Sequence, residues 1–383
     1  MIKKLFTLSV SLLVLSTGLS AEESGYKFKV VKQMEATPVK SQQQTNTCWS
    51  FATNSFLESE LLRMGKGRHD LSEMYSVRMT YPQKIQNYVR KHGKAQFGPG
   101  SLSGDVMRVV KLYGMVPESA FSGRREGESR LNHHELDAVL KGALDALIKN
   151  SSRKLSKAWP DAFNGILDAY LGPIPQNFAY QGKQYTPRAF ADEMGIRPDD
   201  YVEFTSYSHH PYYEKFRLEV PDNWYGNSYF NVPLDDFMSV VDSALKKGYT
   251  LAWDGDVSEN SYHRKRGIAI LPEKPWEERT SEEKANVCLA PEPEQEVTQA
   301  VRQEHYDNYT TNDDHLMHLT GLAEDQNGRK FYIIKNSAGT LERGNEGFVY
   351  MSEPYFRSKT VSIMVHKDAV PQGIAAKLSG SAK

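Results

Sequence analysis

The hydrophobic period changes midway along this sequence, and no other feature limits the fold as strongly. In the first half apolar residues return at helical spacing. Phe51, Ala52, Phe56, Leu57, Leu61 and Met64 form one such stripe, which Gly65 and Gly67 stop. Residues 105–113, 135–148 and 163–171 carry further helical stretches. In the second half an amphipathic helix at 237–247 leads into strand-like runs at 250–253, 316–322, 330–335, 347–351 and 361–365. Residues 26–30 add a short alternating strand near the start, and 273–300, rich in Glu and Pro, reads as an exposed loop. Helices first and strands later predicts an α+β chain of two packed lobes, helical over about 44–200 and β-rich over about 201–371.

Length and charge narrow the function. A chain of 383 residues with 39% hydrophobic content suffices for a sizeable buried core. A net charge of −1 gives no broad basic field, so no nucleic-acid partner is expected. Lys3 and Lys4, an apolar stretch over 5–15, and the small residues Thr17, Gly18, Ser20 and Ala21 together read as a secretory signal peptide, residues 1–20, cut after Ser20 or Ala21. The expected destination is export, to a bacterial periplasm or the medium. Beyond that stretch no run of about 18 apolar residues predicts a membrane span. Cys48 and Cys288 are the only cysteines, too few for a disulfide framework or a cysteine zinc site, so at least one thiol is expected to stay free for chemistry.

Cys48 follows the polar run 42–47 and opens the first helical stripe. A thiol at a helix start feels the positive end of the helix dipole, which favours the thiolate, its nucleophilic form. Val39-Lys40-Ser41-Gln42, followed after five residues by Cys48-Trp49-Ser50-Phe51-Ala52, resembles the active-site segment of papain-type cysteine peptidases. The resemblance implies that Gln42, six residues before the cysteine, donates its amide to an oxyanion, with the Cys48 N–H as second donor. Gln43 and Gln44 read as solvated loop. Thr45 stands where papain has another cysteine, which fits the branch containing bleomycin hydrolase and bacterial aminopeptidase C.

A cysteine nucleophile needs an imidazole to take its proton and to protonate the leaving amine. Among eleven histidines, His69, His92, His133, His134, His209 and His210 lie in polar, turn-like surroundings and read as solvated. His315 and His318 remain. Three apart on a strand, they point to opposite faces, so only one shares a cleft with Cys48. The family's pattern matches His315-Leu316-Met317 and leaves His318 to packing. The turn signal Asp325-Gln326-Asn327-Gly328 folds residues 330–335 back and brings Asn336 near His315. An amide oxygen there accepts the imidazole N–H and fixes the tautomer. Asn336-Ser337-Ala338-Gly339 resembles the family's Asn-Ser-Trp-Gly, and Ala338 in place of tryptophan implies a hydrogen bond less shielded from water.

The resemblance to this branch continues through Gly98-Pro99-Gly100-Ser101-Leu102-Ser103-Gly104-Asp105, similar to its glycine-rich cleft wall. It makes Gly98, Gly100 and Ser101 candidate substrate-binding residues, since glycines let a substrate backbone approach closely. Tyr185-Thr186-Pro187, Asn231-Val232-Pro233-Leu234 and Trp253-Asp254-Gly255-Asp256-Val257 also fit, and the matches spread over about residues 39–371. The resemblance implies a papain-like fold with a helical lobe, an antiparallel β-barrel-like lobe and helical insertions. It implies a Cys-His-Asn triad acting on a peptide substrate through a thioester acyl-enzyme, with aminopeptidase activity, no metal or organic cofactor, and a homo-oligomer such as the family's hexamer. In that branch a C-terminal arm enters the cleft and its carboxylate holds the substrate's amino terminus. Here only residues 372–383 follow Pro371, and they read as a short flexible tail. Endopeptidase activity, amidase action on small peptide-like compounds, and an inactive peptidase scaffold that only binds are the alternatives.

Overall fold

The computed structural model describes residues 25–380 apart from 126, 153 and 342, so the expected signal peptide at 1–20 lies outside the described residues. The helical stripe at Cys48 becomes helix α1, Cys48–Arg63, released at Gly65, whose φ of 72° suits glycine. Every residue from Trp49 to Leu61 is buried, so α1 is a central rod enclosed on all sides. Its polar positions are satisfied within the core. Ser50 Oγ donates to the Glu73 carbonyl at 2.7 Å, Thr53 Oγ1 to Ser103 Oγ at 3.0 Å, and the Leu71 N–H to Glu58 Oε1 at 2.8 Å. Against α1 pack α2 (Glu73–Arg90) and α3 (Ser103–Tyr113), while α4 (His134–Ile148) and α5 (Trp159–Leu171) pack on α2 and on each other.

The second lobe is one mostly antiparallel sheet of eleven strands among the described residues, and its strand path stays open at both ends. Its centre carries Thr360–His366, Leu251–Gly255, His315–Glu324, Lys330–Lys335 and Phe348–Ser352 in that spatial order. One face of the sheet meets the helical lobe: Leu316, Ala252, Val361 and Met364 share a core with Trp49, Phe56 and Leu57. The other face, with Met317, Leu319, Trp253 and Ile363, packs under the helix Leu234–Lys247. This alternation fixes which side chains of His315–Glu324 look toward α1. The segment before α1 reaches across to pair Lys29–Gln33 with that same strand. The strand expected at 26–30 thus lies about three residues later.

The expectation of a flexible tail is corrected. Residues Gln372–Gly380 form a helix, Ile374 is buried in the core behind the sheet, and Lys377 Nζ donates to the Tyr213 hydroxyl at 3.0 Å. Apolar Ile374 and Leu378, four apart, give it a face to bury. No helix among the described residues is long and apolar enough to cross a membrane.

Candidate active site

The two lobes meet along a groove, and its floor is where α1 begins. Cys48 is the first residue of α1, and Leu316, on the adjoining strand, directs its backbone N–H at the Cys48 sulfur. A cavity of about 540 Å³ is lined by Cys48, Gln42, Gly100, Asp222, Asp313 and His315. A second, of about 400 Å³, is lined by His315, Asn336, Ala338, Tyr262, Arg264 and Arg343, and Gln42 borders both. His315 therefore stands between two halves of one groove.

The approach to Cys48 is shaped by local turns. Gln43 and Asn46 adopt positive φ values of 56° and 52°. Thr45, buried, donates to the Gln42 carbonyl at 2.8 Å and lies 2.7 Å from Thr47 Oγ1, clasping the turn just before the helix. The Gln42 N–H is tied to the Ser337 carbonyl at 2.8 Å, which holds its backbone next to the Asn336 segment.

His315 Nε2 lies 2.8 Å from Asn336 Oδ1. The amide is oriented by two other contacts: its oxygen accepts from the Ser337 N–H at 2.7 Å, and its nitrogen donates to the Tyr262 hydroxyl at 3.0 Å. With oxygen facing the ring, Nε2 carries the proton and Nδ1 is left with a lone pair. That tautomer accepts a proton from a thiol. His318, by parity on the opposite side of the strand, is fully buried against α1, its Nδ1 2.9 Å from Ser55 Oγ.

Burial pushes the Cys48 thiol up to about 12; the Leu316 N–H opposes the shift, and Asp222, Asp313 and Asp254 add to it. The residue is only half-buried, yet enough protein surrounds its sulfur for desolvation to dominate. The same burial lowers His315, against the raising effect of its bond to Asn336. These shifts describe lone charges. Moving the proton from sulfur to Nδ1 creates an opposite pair whose attraction offsets much of that cost, and the helix dipole supports the thiolate.

The glycine-rich wall is anchored rather than loose. Trp49 Nε1 donates to the Pro99 carbonyl at 2.9 Å, and Lys84 Nζ donates to the Gly98 carbonyl at 2.6 Å and to that of Gly100. A Cβ on Gly100 would come within 2.0 Å of Asp222 Oδ2, so glycine there makes room for a carboxylate. Of the three proposed wall residues, Gly100 lines the cavity. Ser101 does not suit a substrate ligand: it is 1% exposed, bonds to Asp105, and accepts from Trp224 Nε1 at 2.7 Å. Gly98 does not line the cavity, and its carbonyl accepts from Lys84 Nζ.

Comparison with known proteins bears on the identity. A model of the peptidase C1-like family matches residues 175–382, more than half of the chain. The chain belongs to the peptidase C1-like family. Aminopeptidase C of Streptococcus thermophilus is 24% identical over 92% of this chain and 85% of its own length. Aminopeptidase G of Lactobacillus delbrueckii subsp. lactis is 23% identical over 86% and 80%. The crystal structure of PepW from Lactobacillus rhamnosis has the same fold, with a TM-score of 0.72 at 20% identity, covering 92% of this chain and 85% of that one. The chain is thus a C1-like cysteine peptidase of papain-like fold. The matched family segment holds His315 and Asn336, while Cys48 and Gln42 lie before it.

For a C1-like peptidase the second cysteine is structural. Cys288 is buried, and its thiol donates to the Ser261 carbonyl at 3.2 Å, so both cysteines are free. Two histidines read as solvated are instead buried, His69 against Tyr180 and His133 beneath α4. Sequence reading missed Tyr262, which holds Asn336; it sits on a two-residue strand with no motif around it. It also missed the carboxyls of Asp254 and Asp313, for which the alternation of Leu251–Gly255 was the available signal.

Proposed function

We propose that this chain is an exported aminopeptidase in which Cys48 is the nucleophile, His315 the proton carrier, Asn336 its orienter and Gln42 an oxyanion donor. The observation that carries the reading is the His315–Asn336 bond at 2.8 Å beside a cavity that Cys48, Gln42 and His315 line together. The likeness to aminopeptidases C and G supports an exopeptidase over an endopeptidase.

The chemistry follows from the side chains. Cys48 passes its proton to His315 Nδ1 as sulfur attacks the scissile carbonyl carbon. The carbonyl oxygen takes the negative charge and accepts from the Cys48 N–H and the Gln42 amide, each such donor worth about 3–4 kcal/mol. As the C–N bond breaks, His315 returns the proton to the leaving amine, leaving a thioester on Cys48. Water then gives a proton to His315 and attacks the thioester; the acid departs and sulfur recovers its proton. Throughout, Asn336 keeps Nδ1 turned to sulfur.

The test is hydrolysis of leucyl-coumarin amide and its N-acetylated counterpart by wild type and Cys48→Ala. The reading expects preference for the free amine and a loss of at least about a thousand-fold in the variant. A Cys48→Ala protein with wild-type turnover would sink it. Preference for the blocked substrate would favour the endopeptidase alternative. Export rests on residues 1–20 alone and is checked by the N-terminal sequence of the protein recovered outside the cytoplasm.

A further inference from the structure

We propose that Asp313 and Asp254 form the seat for the free α-ammonium group of the substrate's first residue, a role that rests on the aminopeptidase reading and goes beyond it. An aminopeptidase needs an anion close to the thiol, because the ammonium is only two bonds from the carbonyl that Cys48 attacks. The C-terminal helix does not supply it: Ile374 and Lys377 dock that segment on the β lobe, and none of its described residues lines either half of the groove.

The carboxyls do. Asp313, two residues before His315, lines the same half of the groove as Cys48, and its buried carboxylate oxygens meet the carboxyl of Asp254 and no cation. It faces Asp254, which is 3% exposed and lies across the sheet from Leu316, the residue whose N–H meets the sulfur. Ser362 Oγ donates to Asp254 Oδ2 at 3.0 Å, and the other hydrogen-bond partner of the Asp254 carboxyl is Asp313. Asp222, on the opposite wall, differs: Gln96 donates to it at 2.8 Å and Lys84 offsets its charge.

Two buried carboxyls facing one another without a cation cost stability, and a protein that retains them gains if a cation completes the set. Desolvation raises both above ordinary aspartates: Asp254 to about 7, against the lowering effect of its hydrogen bonds with Asp313 and Ser362, and Asp313 well upward, with the charge of Asp254 adding to the shift. An arriving ammonium would reverse that and relieve the same carboxylates' pressure on the Cys48 thiol. The polarity of the groove agrees with this direction. Cys48, which keeps the acyl part, lines the acidic half, whereas Arg264 and Arg343 line the half beyond His315, where the leaving amine departs.

The test compares leucyl-coumarin amide, N-acetyl-leucyl-coumarin amide and N-acetyl-lysyl-leucyl-coumarin amide on wild type, Asp313→Asn and Asp254→Asn. The free-to-acetylated ratio of kcat/KM should fall roughly 10- to 100-fold in each variant, mainly through KM, as for loss of a charge-assisted hydrogen bond. An unchanged ratio overturns the proposal. If instead only the lysine-containing blocked substrate loses rate, the seat takes a side chain and the α-ammonium assignment falls. Neutralising one carboxyl of a buried pair that holds no cation should leave Tm unchanged or raised. Independently of any variant fold, wild type should bind leucinamide at least about ten-fold tighter than 4-methylpentanamide by calorimetry, and equal affinities overturn the proposal. Leucinamide binding to Cys48→Ala separates the two readings: dependence on Asp313 without wild-type turnover keeps the seat and sinks the peptidase reading, and turnover without that dependence does the reverse.

Discussion

Asn336 accepts from the His315 ring at 2.8 Å although 21 residues separate them, because one hairpin folds the strand Lys330–Lys335 back along His315–Glu324. Gly328, at a φ of 77°, makes the turn, and Asp325 Oδ1 accepts from the N–H groups of Asn327 and Arg329 to hold it. The imidazole's tautomer is therefore set by a backbone device remote from the groove, and by Tyr262 behind the amide.

Removing either support should lower turnover without weakening binding. Asn336→Ala should cut kcat roughly 10- to 100-fold with KM little changed. Tyr262→Phe, which removes the acceptor for Asn336 Nδ2 and a weak donation to Met317 Sδ at 3.5 Å, should cost roughly 3- to 10-fold, the equivalent of about 1 kcal/mol. The double variant should be no worse than Asn336→Ala, since both act through one amide. Additive losses in steady-state kinetics would show that Tyr262 acts elsewhere.

The ion-pair account predicts how alkylation depends on pH. Burial raises the lone Cys48 thiol to about 12, so below that pH the unassisted thiolate fraction falls tenfold per unit. On the proposed mechanism wild type escapes this by handing the proton to His315. In His315→Ala the iodoacetamide rate near pH 7 should drop at least about 100-fold and climb steadily through the alkaline range. A variant alkylated at the wild-type rate near neutrality would remove His315 from the pair.

Ala338 faces the cavity beside His315 and Asn336 and bridges to Ser41. With about 400 Å³ open there, Ala338→Trp has room for an indole that screens the His315–Asn336 bond. A gain of a few-fold in kcat or a few degrees in Tm is the expected outcome. No gain in either would mean that shielding is not what this position lacks.

At Gly100 an added methyl meets the Asp222 carboxylate. Gly100→Ala should displace the wall or Asp222, cost about 1–3 kcal/mol in chemical denaturation and raise KM. Unaltered stability and KM would show that the wall yields without consequence.

The C-terminal helix should matter for stability and not for the free-amine preference. Ile374→Ala removes a buried anchor and should lower stability by about 2–4 kcal/mol. The ratio of rates on free and acetylated leucyl substrates should stay as in wild type. The same ratio after deletion of residues 379–383 gives a second check, and a collapsed preference in either protein would assign the end of the chain to the groove.

Much of this was legible from residue order. The shift of hydrophobic period gave the two lobes, and α1 begins at Cys48 as its stripe implied. Helix α2 went unread because Pro82 lies inside it and Arg78 and Lys84 are buried among Met74, Val77, Tyr81 and Ile85, so its stripe looks broken. The tail misled for the opposite reason: Ile374 and Leu378 are few, and only the core behind the sheet shows what they bury against. At the site, Cys48, Gln42, His315 and Asn336, which motifs carry, line the groove, while the residues placed only by pairing went unread. Asp254 looks like any strand aspartate until the register with Leu316 turns it toward α1, where Asp313 meets it.

The most direct measurement is iodoacetamide labelling with the adduct mapped by mass spectrometry while hydrolysis of leucyl-coumarin amide is followed. The account predicts one adduct, on Cys48 rather than the buried Cys288, with activity falling in proportion to its occupancy. Full occupancy of Cys48 with undiminished hydrolysis would contradict it.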